Sequence, residues 1–217
     1  MYPALIFKVI FLNKRKFRCK ISYRKKGVII LTLLTEILEY NKSFVENEEY
    51  KKYASSKYPK KRMVILSCMD TRLVELLPKA MNLSNGDVKI VKNAGALVSH
   101  PFGSVMRSIL VAIYQLHADE VFVIGHYDCG MGALKADEMI ANMKERGVSE
   151  ETLHTLEFTG IDFHKWLHGF DDVRETVAHS VKVIKTHPLM PKGTPVHGLV
   201  IDPTTGKLDL VVDGYQD

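Results

Sequence analysis

The chain has 217 residues, 46% of them hydrophobic and 25% charged, with a formal net charge of +5 and three cysteines. These values exclude wholesale disorder and a small disulfide-held scaffold, and no run approaches the ~20 apolar residues of a membrane-spanning helix. The charge is local. Residues 1–30 hold nine Lys/Arg and no acid, so residues 31–217 carry 21 basic side chains against all 25 acids. The basic pI is therefore no sign of a nucleic-acid-binding domain.

In the leader the apolar stretch Tyr2–Leu12 precedes the basic run Asn13-Lys14-Arg15-Lys16, the reverse of a secretory signal. Residues 1–30 are expected to be a basic extension outside the core, dispensable for folding. Residues 31–217 are expected to form one α/β domain that is cytoplasmic and not inserted in a membrane.

Apolar residues recur at helical spacing over Leu31–Ala54, predicting one or two amphipathic helices that end before Pro59, within a helical arm over residues 31–58. Met63–Cys68 is a short apolar run, read as a strand buried on both faces. Val88–Val91 is a second strand, entered through the turn Asn85-Gly86-Asp87. Ser104–His117 is apolar almost all round, predicting a helix buried on most faces. Val121–Ile124 is a third strand, ending at Gly125. Helices follow to about Thr186, with Asp171 or Asp172 capping the last one and Pro188 ending it. Val196–Ile201 and Leu208–Val212 predict a hairpin across Thr204-Thr205-Gly206. Strands alternating with helices imply a mainly parallel sheet with an antiparallel edge strand, flanked by helices.

In such sheets ligands bind beyond the carboxyl ends of the strands. Two segments lie there: Cys68-Met69-Asp70-Thr71-Arg72 and His126-Tyr127-Asp128-Cys129. Cys68, His126 and Cys129 are a soft nitrogen and sulfur set suited to zinc, and three protein ligands leave a coordination position free. Zinc lowers the pKa of water towards neutrality, so hydroxide becomes available. His164 and His168 have the four-residue spacing of a metal pair but lack the intervening glutamate of a metalloprotease. His100 is read as an ordinary loop histidine.

Ser67–Arg72, Lys92-Asn93-Ala94-Gly95-Ala96 and Gly125–Met131 together resemble the signature blocks of the β-class carbonic anhydrases, in order, between Leu31 and Val212. The resemblance implies one zinc per subunit held by Cys68, His126 and Cys129, and hydration of carbon dioxide to bicarbonate and a proton. It implies an Asp70–Arg72 dyad beside the metal, in which Asp70 either coordinates zinc or pairs with Arg72. It also implies backbone approach to substrate at Gly95 and Gly130, and a homodimer or dimer of dimers clasped by N-terminal helices. Tyr127-Asp128, where many members carry Thr or Ser and then a small residue, and Lys92, where an Arg is usual, depart from the commoner pattern. Two alternatives stand beside it: a zinc hydrolase of carbonyl sulfide or carbon disulfide on the same scaffold, and a non-enzymatic zinc-binding member. The intact five-residue set disfavours the latter.

Overall fold

The computed structural model describes residues 20–24 and 27–216. The expectation for the remainder of the leader lies outside the described residues. The chain divides into two compact units, one up to Ala54 and one from Ser55 onward.

The first unit contains a short antiparallel hairpin, β1 (Lys20–Arg24) with β2 (Gly27–Leu31), inside the segment that charge alone marks as leader. Helix α1 (Leu33–Glu46) follows, and the Thr32 side chain caps it by accepting from the Thr35 N–H. A 3-10 turn over Glu49–Tyr53 completes the expected one or two helices. The helix buries none of its side chains, leaving Leu33, Leu34, Ile37 and Leu38 exposed.

The second unit is built on β3 (Met63–Cys68), β4 (Val88–Asn93), β5 (Glu120–His126), β6 (Val196–Ile201) and β7 (Leu208–Val212), in the order β4-β3-β5-β6-β7. The first four are parallel, and β7 runs antiparallel on the edge. The β-branched runs explain this. Every residue of β3 is buried, as a central parallel strand with both faces covered requires. Helices α2 (Leu73–Ala80), α3 (Ser104–Leu116), α4 (Ala136–Glu145), α5 (Glu150–Phe158), α6 (Phe163–Trp166) and α7 (Val173–Lys185) complete the unit.

Asp172 caps α7, its carboxylate accepting from the N–H groups of Arg174 and Glu175. The stripe Val177, Val181 and Ile184 is buried against the sheet. The approach is close: a Cβ at Gly125 would lie 2.8 Å from Val173 and 2.9 Å from Val177. Only glycine at that strand position lets α7 rest so near the end of β5.

One element escaped the sequence reading and one expectation needs correction. Helix α2 is absent from the sequence reading because it has eight residues and carries Pro78 inside it. Proline there removes one hydrogen bond near the end of the helix without preventing the turn. Helix α3 is not buried on most faces: Met106, Ile109 and Ala112 are buried, whereas Val111 and Tyr114 are exposed. Its outer side borders a groove above the edge strand β4, lined in part by Ile90, Val111 and Leu116. Apolar composition all round told of low polarity, not of what covers each face.

Candidate metal centre

From β3 the chain passes to β4 on one side, then crosses to β5 on the other side of β3. That reversal opens a crevice at the carboxyl ends of β3 and β5, where the topology of an open α/β sheet puts ligands. Cys68 is the last residue of β3 and His126 the last of β5, so the crevice receives both. Cys129 returns three residues later through a turn in which Asp128 takes a positive φ of 52°.

The donor atoms of Cys68, His126 and Cys129 all lie within 4.8 Å of one another, the one such group among the described residues. The two Sγ atoms are 3.8 Å apart, with no disulfide between them. Two thiolates about 2.3 Å from a tetrahedral zinc stand about 3.8 Å apart, so the spacing fits zinc. His126 donates from Nδ1 to the Tyr127 carbonyl oxygen at 2.8 Å, which leaves the lone pair on Nε2. That Nε2 is buried and has no hydrogen-bond partner. An orphaned buried imidazole nitrogen facing two sulfurs is a metal-ligand arrangement.

Electrostatics agree. Burial pushes the Cys68 thiol up. The adjoining His126 ring and the N–H groups of Gly95 and Asp70 outweigh it and bring the pKa down to about 7. Cys129 goes the other way, to about 11, through burial and the neighbouring Cys68 charge, against the opposing Met131 N–H. Both sulfurs can be ionised together only if a cation offsets their repulsion.

Beside this cluster, Asp70 and Arg72 form a bidentate pair: Arg72 Nε donates to Asp70 Oδ1 at 3.0 Å and Nη2 to Oδ2 at 2.9 Å. Asp70 Oδ2 lies 3.7 Å from His126 Nε2, so the carboxylate stands between the guanidinium and the donor cluster. Hydrogen bonds from Arg72 hold the Asp70 carboxyl down to about 2 despite partial burial. A depressed carboxyl pKa stabilises the fold fully above its unfolded value, about 3.9, and that contribution is lost as pH falls through the folded value. The stability difference between metal-free wild type and Asp70→Asn should therefore be constant above about pH 5 and shrink towards pH 2. Urea denaturation across that range checks it; a constant difference down to pH 2 would contradict the pairing.

The glycines divide. Gly95 is buried at φ 82°, and its N–H donates to Cys68 Sγ at 3.4 Å. Its backbone therefore addresses the sulfur. Gly130 is exposed, and a Cβ there would meet nothing within 4 Å. His100 uses Nδ1 to accept from the Phe102 N–H within its loop, and exposed His164 lies 3.6 Å from Asp137, away from any metal group. Sequence reasoning missed the contact between Asp128 and Arg72, at 2.8 Å. An acid between two ligands was the available signal.

The carbonic anhydrase family model matches residues 63–208, and the chain belongs to the β-class carbonic anhydrase family. It is 62% identical over 187 residues, 86% of this chain and 100% of the relative, to a protein of Bacillus subtilis (strain 168) named "Putative carbonic anhydrase YtiB". It is 28% identical over 154 residues, 68% of this chain and 76% of the relative, to a carbon disulfide hydrolase of Acidithiobacillus thiooxidans. Among solved structures, β-carbonic anhydrase isoform I of Trichomonas vaginalis superposes with a TM-score of 0.78 at 32% identity, covering 85% of this chain and all of that one. No helix among the described residues is long and apolar enough to cross a membrane.

Proposed function

We propose that this chain is a zinc-dependent carbonic anhydrase that catalyses the reversible hydration of carbon dioxide to bicarbonate and a proton. The observation that carries the reading is the convergence of three zinc-type donors with the Asp70 carboxylate held just outside them by Arg72. Cys68, His126 and Cys129 would hold the ion. Zinc bound there supplies Lewis acidity and lowers the pKa of water towards neutrality. The rest is done by the chain. Asp70, kept ionised by Arg72, is an acceptor only, so it can orient a reacting water by taking its hydrogen bond. Arg72 keeps that carboxylate from filling the coordination position itself. Gly95 shapes the sulfur side, and Gly130 stays a candidate backbone donor to bicarbonate.

Hydrolysis of carbon disulfide or carbonyl sulfide is a second reading, supported by the carbon disulfide hydrolase among the relatives. Initial rates with all three substrates on one zinc-loaded preparation decide between them. Faster carbon dioxide turnover supports the proposal, and turnover confined to the sulfur compounds overturns it.

The exposed apolar side of α1 supports a homodimer or dimer of dimers. Sedimentation velocity at micromolar concentration should show no monomer, and an active monomer would contradict the assembly. Two reduced thiols 3.8 Å apart suit a reducing compartment, in keeping with a cytoplasmic enzyme.

A further inference from the structure

Arg72 serves two carboxylates, and the second has no part in the reaction proposed above. One edge of the guanidinium, Nε and Nη2, faces Asp70. Nη1 donates to Asp128 Oδ2 at 2.8 Å, and Nη2 also donates to the Asp128 carbonyl oxygen at 2.9 Å. Four of the five N–H groups are thus committed, and a rigid planar fork so held has one orientation.

Asp128 can do this because of its backbone. It sits between His126 and Cys129 at φ 52°, the left-handed region that aspartate and asparagine tolerate. The turn that delivers Cys129 therefore also aims a carboxylate and a carbonyl at Arg72. Two effects oppose each other here. The negative charge of Asp128 draws on the charge Arg72 offers Asp70, whereas its hydrogen bonds fix Arg72 where Asp70 can be reached. The Asp128 side chain is 84% exposed, so solvent screens its charge, while the directional bonds persist. Arg72 is itself 42% exposed and would otherwise sample many rotamers.

We propose that Asp128 is a positioning residue: it holds the Arg72 guanidinium in the orientation that takes the Asp70 carboxylate, and so disfavours Asp70 as a ligand of the metal. The proposal rests on the zinc reading of Cys68, His126 and Cys129.

The test uses the full chain loaded with cobalt(II) in place of zinc, with azide binding followed by the cobalt visible spectrum. Azide needs the coordination position that Asp70 would otherwise take. Asp128→Gly removes the side chain without backbone strain, and Asp128→Asn keeps both the left-handed turn and a side-chain oxygen that can accept from Arg72. Both should bind one cobalt per chain, with azide affinity about two- to fivefold weaker than wild type in Asp128→Gly, the range of an exposed ion pair, and close to wild type in Asp128→Asn. In an Asp70→Asn background the same substitutions should leave azide affinity unchanged, because the effect passes through Asp70. Azide binding that is unchanged or tighter in Asp128→Gly overturns the proposal, as does a loss that persists with Asp70→Asn. If the glycine variant does not fold, Asp128→Ala, which also lacks the side-chain acceptor, gives the same comparison. Wild type that takes up no cobalt or zinc would instead sink the metal reading itself.

Discussion

Replacing Cys129 by serine is expected to leave well under one zinc per chain and carbon dioxide hydration at the uncatalysed rate. Serine is nearly isosteric, so the turn should survive, but a hydroxyl is a poor zinc ligand at neutral pH. Disturbing a residue that only orients a ligand costs about 10- to 100-fold in metal affinity, and losing a ligand should cost more than that. His126→Ala should behave alike, because Nε2 is the one nitrogen in the donor group. Metal analysis after gel filtration, with circular dichroism to confirm the fold, reads the result. Full zinc occupancy in Cys129→Ser would show that the ion sits elsewhere.

The second large effect belongs to Arg72→Ala. The Arg72 side chain donates to both oxygens of Asp70, and in Arg72→Ala only the backbone N–H of that residue, 2.8 Å from Oδ1, would remain. Hydrogen bonds to charged groups are worth about 1.5–3 kcal/mol net, so their loss favours Asp70 on the metal by about 10- to 100-fold. Carbon dioxide turnover should fall by that factor while zinc stays bound. Asp70→Asn should also bind zinc and be impaired, having lost the ionised acceptor. Near-wild-type turnover in zinc-replete Arg72→Ala would reduce the dyad to an ordinary surface salt bridge.

Much of the site was legible because its chemistry is local in sequence. Cys68 ends one apolar run and His126 another, and the rule that ligands gather at carboxyl strand ends needs only the strands. The two segments become adjacent because β3 and β5 are neighbours, and strand order is not written in periodicity. Helix α2 escaped notice because Pro78 reads as a breaker, and the exposure of Val111 and Tyr114 because composition cannot say which helical face meets a partner. The pairing of β1 with β2 was hidden by charge, since a basic run says nothing against strand pairing. Asp128 was counted as a departure between the ligands. Its role emerges only when the turn aims it at Arg72, 56 residues earlier.

Stopped-flow hydration of carbon dioxide, on protein whose zinc content has been measured in the same sample, tests the central claim most directly. The account predicts one zinc per chain and turnover proportional to zinc, abolished when a chelator removes the metal and restored when zinc is returned. A chain that carries its full zinc and hydrates carbon dioxide no faster than buffer would contradict it.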